Sequence, residues 1–194
     1  MSAMPVPRLT PEQYLEIERA AEFKSEYFDG EMFAMSGGLL PHSLISAALI
    51  TALTVTLRGR KCRAFGSDTR VRVVKQGPFF YPDVSVYCGE PQLADDYKDT
   101  LLNPTLVIEV LSPSSEAFDR GKKFAAYRRI DSLREYVLVS QTEPNVESYL
   151  REPDGRWTLT EFSGTDAICS LKSIACEIPL ADIYRDVPLA AAAE

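Results

Sequence analysis

The chain has 194 residues, enough for one domain with a sizeable core, and its 45% hydrophobic, 25% charged and 10% aromatic content is that of an ordinary globular protein. That composition excludes a collagen-like, disordered or disulfide-stapled chain. A formal net charge of −7 argues against loose adsorption to nucleic acid, because affinity for phosphates comes from local Lys and Arg.

The first residues carry no apolar run ahead of a small-residue cleavage site, and LISAALITALTVTL is too short and too rich in Thr to span a bilayer. No membrane partner and a cytoplasmic location are therefore expected. Cys62, Cys88, Cys169 and Cys176 lack metal-type or redox-type spacing and read as reduced, mostly buried thiols.

In chain order, a short helix is expected over residues 11–22, with Thr10 as its N-cap and Pro11 in its first turn. Asp29-Gly30 between aromatic-rich runs predicts a two-residue hairpin, pairing Phe28 with Glu31 and Glu26 with Phe33. Glu26 and Glu31 then share a face. A second helix runs from near Pro41 to Gly59, with apolar residues spread round most of its circumference, which predicts cover on most sides. His42, at its start, reads as a capping or surface residue.

From residue 61 the pattern turns to strands: CRAFG, TRVRVV with one wet face, DVSVYC, and TLVIEVL, which is apolar on both faces and so central. A third helix is expected from Ala117 to Ile130, with Ser112 and Ser114 capping the turn before it. Strands REYVLVS, NVESYL and RWTLTEF follow, the last two joined at Pro153-Asp154-Gly155. The whole predicts a single α/β or α+β domain over 1–194 with a mixed central sheet, and loose tails at 1–9 and 187–194.

Three groups suggest chemistry. Glu109 is the only polar residue in LVIEVL, where a carboxylate needs a partner: an Arg, a metal ion or a proton-transfer role. Asp83 follows Pro82 at the start of an apolar strand, a pair that also serves simply to begin a strand. On a helical wheel with Lys123 at 0°, Tyr127 falls near about 40°, Phe124 near about 100° and Ile130 near about −20°, so Lys123 lies on the apolar face. Lys122, near about −100°, lies outside it. Lys123 either reaches an anion or extends its stem to water at the domain edge. If Asp83 and Glu109 occupy adjacent strands, two carboxylates and water suit a hard divalent cation, with Lys123 beside it.

At these residues SEYFDGE, YPDVSVY, LVIEVLSPSS and DRGKKFAAY, in this order, resemble the signature segments of the Uma-two family of restriction-endonuclease-like proteins. That family is a branch of the PD-(D/E)XK nuclease superfamily, and the likeness runs from the Tyr14 region to about Tyr184. It implies a restriction-endonuclease-like core, a mixed sheet flanked by helices, with Asp83 and Glu109 as metal carboxylates, Lys123 as the lysine and Glu26 as an additional acid. One departure from the superfamily is plain: the position two residues after the second acid is Leu111, and the lysine stands on the following helix instead.

The expected function is therefore Mg²⁺- or Mn²⁺-dependent endonucleolytic hydrolysis of DNA. Arg58, Arg60, Lys61, Arg63, Arg70 and Arg72, opposed in their segment by Asp68 alone, are the expected phosphate-binding surface. A second basic segment covers 120–134. A homodimer would suit cutting of both strands. Two other readings stay open: a nuclease-fold binding or regulatory module without turnover, and a carboxylate-pair hydrolase on another substrate, such as a glycoside.

Overall fold

The structure, a computed structural model, describes residues 8–189. Helix α1 (Pro11–Ala20) begins with a reciprocal cap. The Thr10 hydroxyl accepts the Gln13 N–H and the Gln13 side chain accepts the Thr10 N–H, satisfying two amides that the helix end leaves open. Strands β1 (Ser25–Phe28) and β2 (Glu31–Ala34) pair in the register the two-residue loop requires, Phe28 opposite Glu31 and Glu26 opposite Phe33. Asp29 and Gly30 take φ values of 52° and 85°, the positive angles of such a turn.

Helix α2 (Leu40–Thr56) buries Ile45, Leu49 and Leu53 along one stripe. Its apolar circumference predicts wider cover, but Leu40 and Val55 remain exposed because the sheet meets the one stripe only.

Strands β3 (Cys62–Gly66), β4 (Arg70–Arg72), β5 (Phe79–Phe80), β6 (Val84–Cys88), β7 (Thr100–Leu101) and β8 (Leu106–Val110) follow. A helical segment comes next, α3 (Glu116–Phe118), a π turn (Asp119–Lys123) and α4 (Phe124–Tyr127). After it run β9 (Glu135–Val139), β10 (Asn145–Arg151), β11 (Trp157–Ser163), β12 (Ile168–Leu171), β13 (Cys176–Pro179) and α5 (Leu180–Ile183).

The expected mixed central sheet is six-stranded, in the order β11-β10-β9-β8-β6-β3, with β8 and β9 parallel and the other pairs antiparallel. Beside it stands a five-stranded sheet, β2-β1-β5-β4-β7, whose shortest strands are too brief to show a period. Strand β8 is buried along its whole length. Leu106, Ile108 and Val110 face a core shared with α2 and the β12-β13 ribbon. Val107 and Leu111 face a second core, with Phe80, Tyr127 and Tyr136, that joins the two sheets through the α3–α4 segment. No helix among the described residues is long and apolar enough to cross a membrane.

Two further expectations are corrected. Cys62 and Cys88 are not thiols: they lie opposite one another on β3 and β6 and form a disulfide, a juxtaposition that 26 residues of separation conceal. Cys169 and Cys176 are free and buried. The strand read from TRVRVV keeps only Arg70–Arg72, and Arg70 does not face water. It is 2% exposed, hydrogen-bonds Thr100 and Tyr81, and pairs with Asp99 at 2.7 Å. The loose tails fall partly outside the described residues. Within them, Leu9 donates to the Gly30 carbonyl, and Val187 and Leu189 pack on the core.

Candidate active site

The chain passes from one sheet to the other at Tyr81-Pro82-Asp83, between β5 and β6. Val84 is opposite Ile108 in the antiparallel β6–β8 pair, so the register carried one step further sets Asp83 beside Glu109 on the same face. That step also explains the Val110 N–H, which donates to Asp83 Oδ2 at 2.7 Å. Glu26 arrives from β1 of the other sheet, steadied by the Tyr81 N–H at 3.1 Å.

The helical segment completes the cluster. Lys123 Nζ is 3.0 Å from Glu26 Oε1, 3.0 Å from Glu109 Oε1 and 3.5 Å from Asp119 Oδ1. Tyr127, one turn on, donates to the same Glu109 oxygen at 3.1 Å. The wheel's facing holds on this side of the segment, with Lys123 buried and Lys122 exposed, but the helix is not the uniform one expected: residues 119–123 form a π turn. Such wide turns are frequent at functional sites. Glu31, on the same ribbon face as Glu26, stays exposed.

Charge in the cluster is unbalanced. Glu26, Asp83, Glu109 and Asp119 meet one permanent cation, Lys123, plus His42, whose Nε2 is 3.2 Å from Asp83 Oδ2. The Asp83 hydrogen bond outweighs burial and raises the His42 pKa above its ordinary value. Burial, helped by Asp119, Asp83 and Glu26, raises the Glu109 pKa well above the carboxylate range despite Lys123. Burial alone would lower the Lys123 pKa, but Glu109, Glu26 and Asp119 together raise it, so its ammonium stays charged. Glu26 and Asp83, each with a side chain 14% exposed, are the open side of the cluster, while Glu109 and Asp119 form its floor.

Asp83 and Glu109 suit a hard divalent cation. They offer adjacent carboxylates, the cluster carries excess negative charge, and Asp119 Oδ1 is buried without a hydrogen-bond partner. Among the described residues no three acid, Cys or His side chains are already set as a metal cage. The Lys123 ammonium stands between two of the acids, and Mg²⁺, which keeps most of its waters, needs only one or two carboxylates. Because burial raises the Glu109 pKa and the cation must displace whatever proton that carboxyl holds, Mn²⁺ affinity is expected to rise with pH, with protons released on binding. Calorimetry in buffers of different ionisation enthalpy checks this; an affinity independent of pH would contradict it.

The sequence reading missed three contributors. His42 contacts Asp83 rather than capping a helix, a tertiary contact with no local signal. Tyr127 was in view on the wheel beside Lys123 only as an apolar face marker. Asp119 had a signal: four residues before Lys123, it lies about 40° from it on the same wheel.

The basic stretch does not surround the cluster. Arg63 is opposite Tyr87, so Arg58, Arg60, Lys61 and Arg63 gather near the Cys88 end of β6, about 17 Å from Asp83 at the usual strand rise. Arg60 and Arg63 donate to nearby carbonyls. Arg70 and Arg72 sit on the sheet face that bears Phe79, directed toward α1, and Arg70 is committed to its buried ion pair. Lys122 within the α3–α4 segment and Arg128 and Arg129 just after it are exposed cations, with Arg128 stacked over the Phe124 ring.

Comparison with known proteins agrees with this architecture. The Uma2 family, described as "Putative restriction endonuclease", matches residues 11–181. The Synechocystis sp. (strain PCC 6803) protein slr1290, described as uncharacterized, is 41% identical over 183 residues, covering 93% of this chain and 94% of its own length. A second Synechocystis protein, sll1609, also uncharacterized, is 37% identical and covers 82% of this chain and 90% of its own. A crystal structure from Anabaena variabilis, described as "a putative nuclease belonging to DUF820", superposes with a TM-score of 0.74. At 20% identity, covering 91% of this chain and 98% of that one, it shares the fold.

Proposed function

Since the chain belongs to the Uma2 family of restriction-endonuclease-like proteins, we propose that it hydrolyses DNA phosphodiester bonds with Mg²⁺ or Mn²⁺ held by Asp83 and Glu109. The observation that carries this reading is the adjacency of those two carboxylates, on neighbouring strands, beside a buried lysine and in surplus over the nearby cations.

A divalent ion bound there supplies Lewis-acid stabilisation of charge on the phosphate and a more acidic water. The protein's groups do the rest. The Val110 N–H and His42 hold the Asp83 carboxylate, and the Tyr127 hydroxyl holds Glu109, so both acids are oriented before any ligand arrives. Lys123 faces the same oxygens, where its ammonium orients a water for attack and offsets charge developing on the phosphoryl group. Glu26 anchors that ammonium at its open end. Lys122 and Arg129, exposed cations close to Lys123 in the chain, are offered as contacts for flanking phosphates.

Supercoiled plasmid incubated with the purified chain and Mg²⁺ is expected to become nicked or linear, and chelation is expected to stop it. Plasmid left intact by excess protein, in Mg²⁺ and Mn²⁺ alike, would overturn the proposal.

A further inference from the structure

We propose that Asp119 is a third oxygen donor to the divalent cation, supplied by the helical segment rather than by the sheet; this deepens the reading of the site given above and rests on it.

Asp119 is 2% exposed, yet its Oδ1 has no hydrogen-bond partner. A buried anionic oxygen without a donor is costly, and such groups are retained where something absent from the apo state completes them. Its salt-bridge partner among the described residues, the Lys123 ammonium, lies 3.5 Å away and is bound more closely, at 3.0 Å, by both Glu26 and Glu109. Lys123 therefore pairs with it loosely, leaving Oδ1 without a hydrogen bond. The residue is also held firmly: Tyr136 donates its hydroxyl to the Asp119 backbone carbonyl at 3.0 Å, and the π turn begins at this position. In a regular helix residues 119 and 123 lie one turn apart on the same face; here a π turn spans them, and Asp119 Oδ1 and Glu109 Oε1 both lie within 3.5 Å of the same Lys123 ammonium, so the two carboxylates share one neighbourhood.

The donors would then be three hard oxygens from separate elements, Asp83 at the start of β6, Glu109 in β8 and Asp119 in the π turn. That set suits Mg²⁺ or Mn²⁺, not a thiophilic ion.

The test measures metal binding and needs no turnover. Mn²⁺ is titrated by calorimetry into the wild-type chain and Asp119→Asn, and Cd²⁺ is added to the wild type and Asp119→Cys while near-ultraviolet absorption is followed. The expected results are at least a tenfold weaker Mn²⁺ Kd for Asp119→Asn, and a thiolate-to-cadmium charge-transfer band in Asp119→Cys beyond any that Cys169 and Cys176 give in the wild type. Without metal, Asp119→Asn is expected to melt no lower than the wild type, since it removes an unsatisfied buried charge. A Kd within twofold of wild type, or no added band in a folded cysteine variant, would overturn the assignment. A lowered metal-free melting temperature would also overturn it, by marking Asp119 as a structural counter-ion of Lys123. If the wild type itself binds no Mn²⁺, the reading of the whole site falls, an outcome distinct from the failure of Asp119 alone.

Discussion

Lys123→Met is expected to lower the unfolding free energy by about 3–5 kcal/mol, the range seen when one member of a buried charge cluster is removed. The methionine fills most of the volume, so packing is nearly preserved and the loss is electrostatic. Glu26 and Glu109 each forfeit a contact of 3.0 Å, and Asp119 loses its nearest cation. Glu109, already raised by burial, is raised further without Lys123, so the variant recovers stability by taking up a proton. The sign follows: a carboxyl with a raised folded pKa binds protons more tightly folded than unfolded, so the deficit is largest above that pKa and shrinks as pH falls. Mn²⁺ should shrink it too, since it replaces the missing positive charge. Urea unfolding followed by Trp157 fluorescence is a suitable readout, because that ring packs edge-on against Phe124, the neighbour of Lys123. A variant as stable as wild type at every pH would show that the ammonium does not hold the cluster.

Asp83→Asn is expected to lower the rate of DNA cleavage about 100-fold or more while leaving the fold intact, as loss of a metal carboxylate removes several kcal/mol of charge stabilisation. The amide is the informative choice. Its oxygen can still accept the Val110 N–H, whereas Asp83→Ala would orphan that buried donor at a cost of about 1–3 kcal/mol and confuse stability with catalysis. His42 loses its anionic partner in the variant, so its pKa should return toward the ordinary value, visible by NMR titration. Cleavage unchanged by Asp83→Asn would remove this carboxylate from the metal set.

What the sequence made legible was local in origin. The Asp29-Gly30 turn dictates the β1–β2 register, because two positive φ angles leave one pairing, and so delivers Glu26 to a defined face. A carboxylate inside LVIEVL had to be central and partnered, and Lys123 could be chosen over Lys122 by helical facing alone. What escaped was contact between segments distant in sequence. Nothing near His42 names Asp83 as its partner. Arg70 looked like a surface cation because alternation in a short strand gives two faces without saying which is wet; here Asp99 and the Tyr14–Tyr81 surroundings make burial tolerable. The basic stretch was sound as composition, but the antiparallel pairing of β3 with β6 carries its first half to the far end of the strand.

The most direct test is a crystal grown or soaked in Mn²⁺ and recorded for anomalous scattering. A peak between the Asp83 and Glu109 carboxylates, with the Lys123 ammonium moved off Glu109 but still within the cluster, is the expected result. No peak at saturating Mn²⁺, with Lys123 still bridging Glu26 and Glu109, would contradict it.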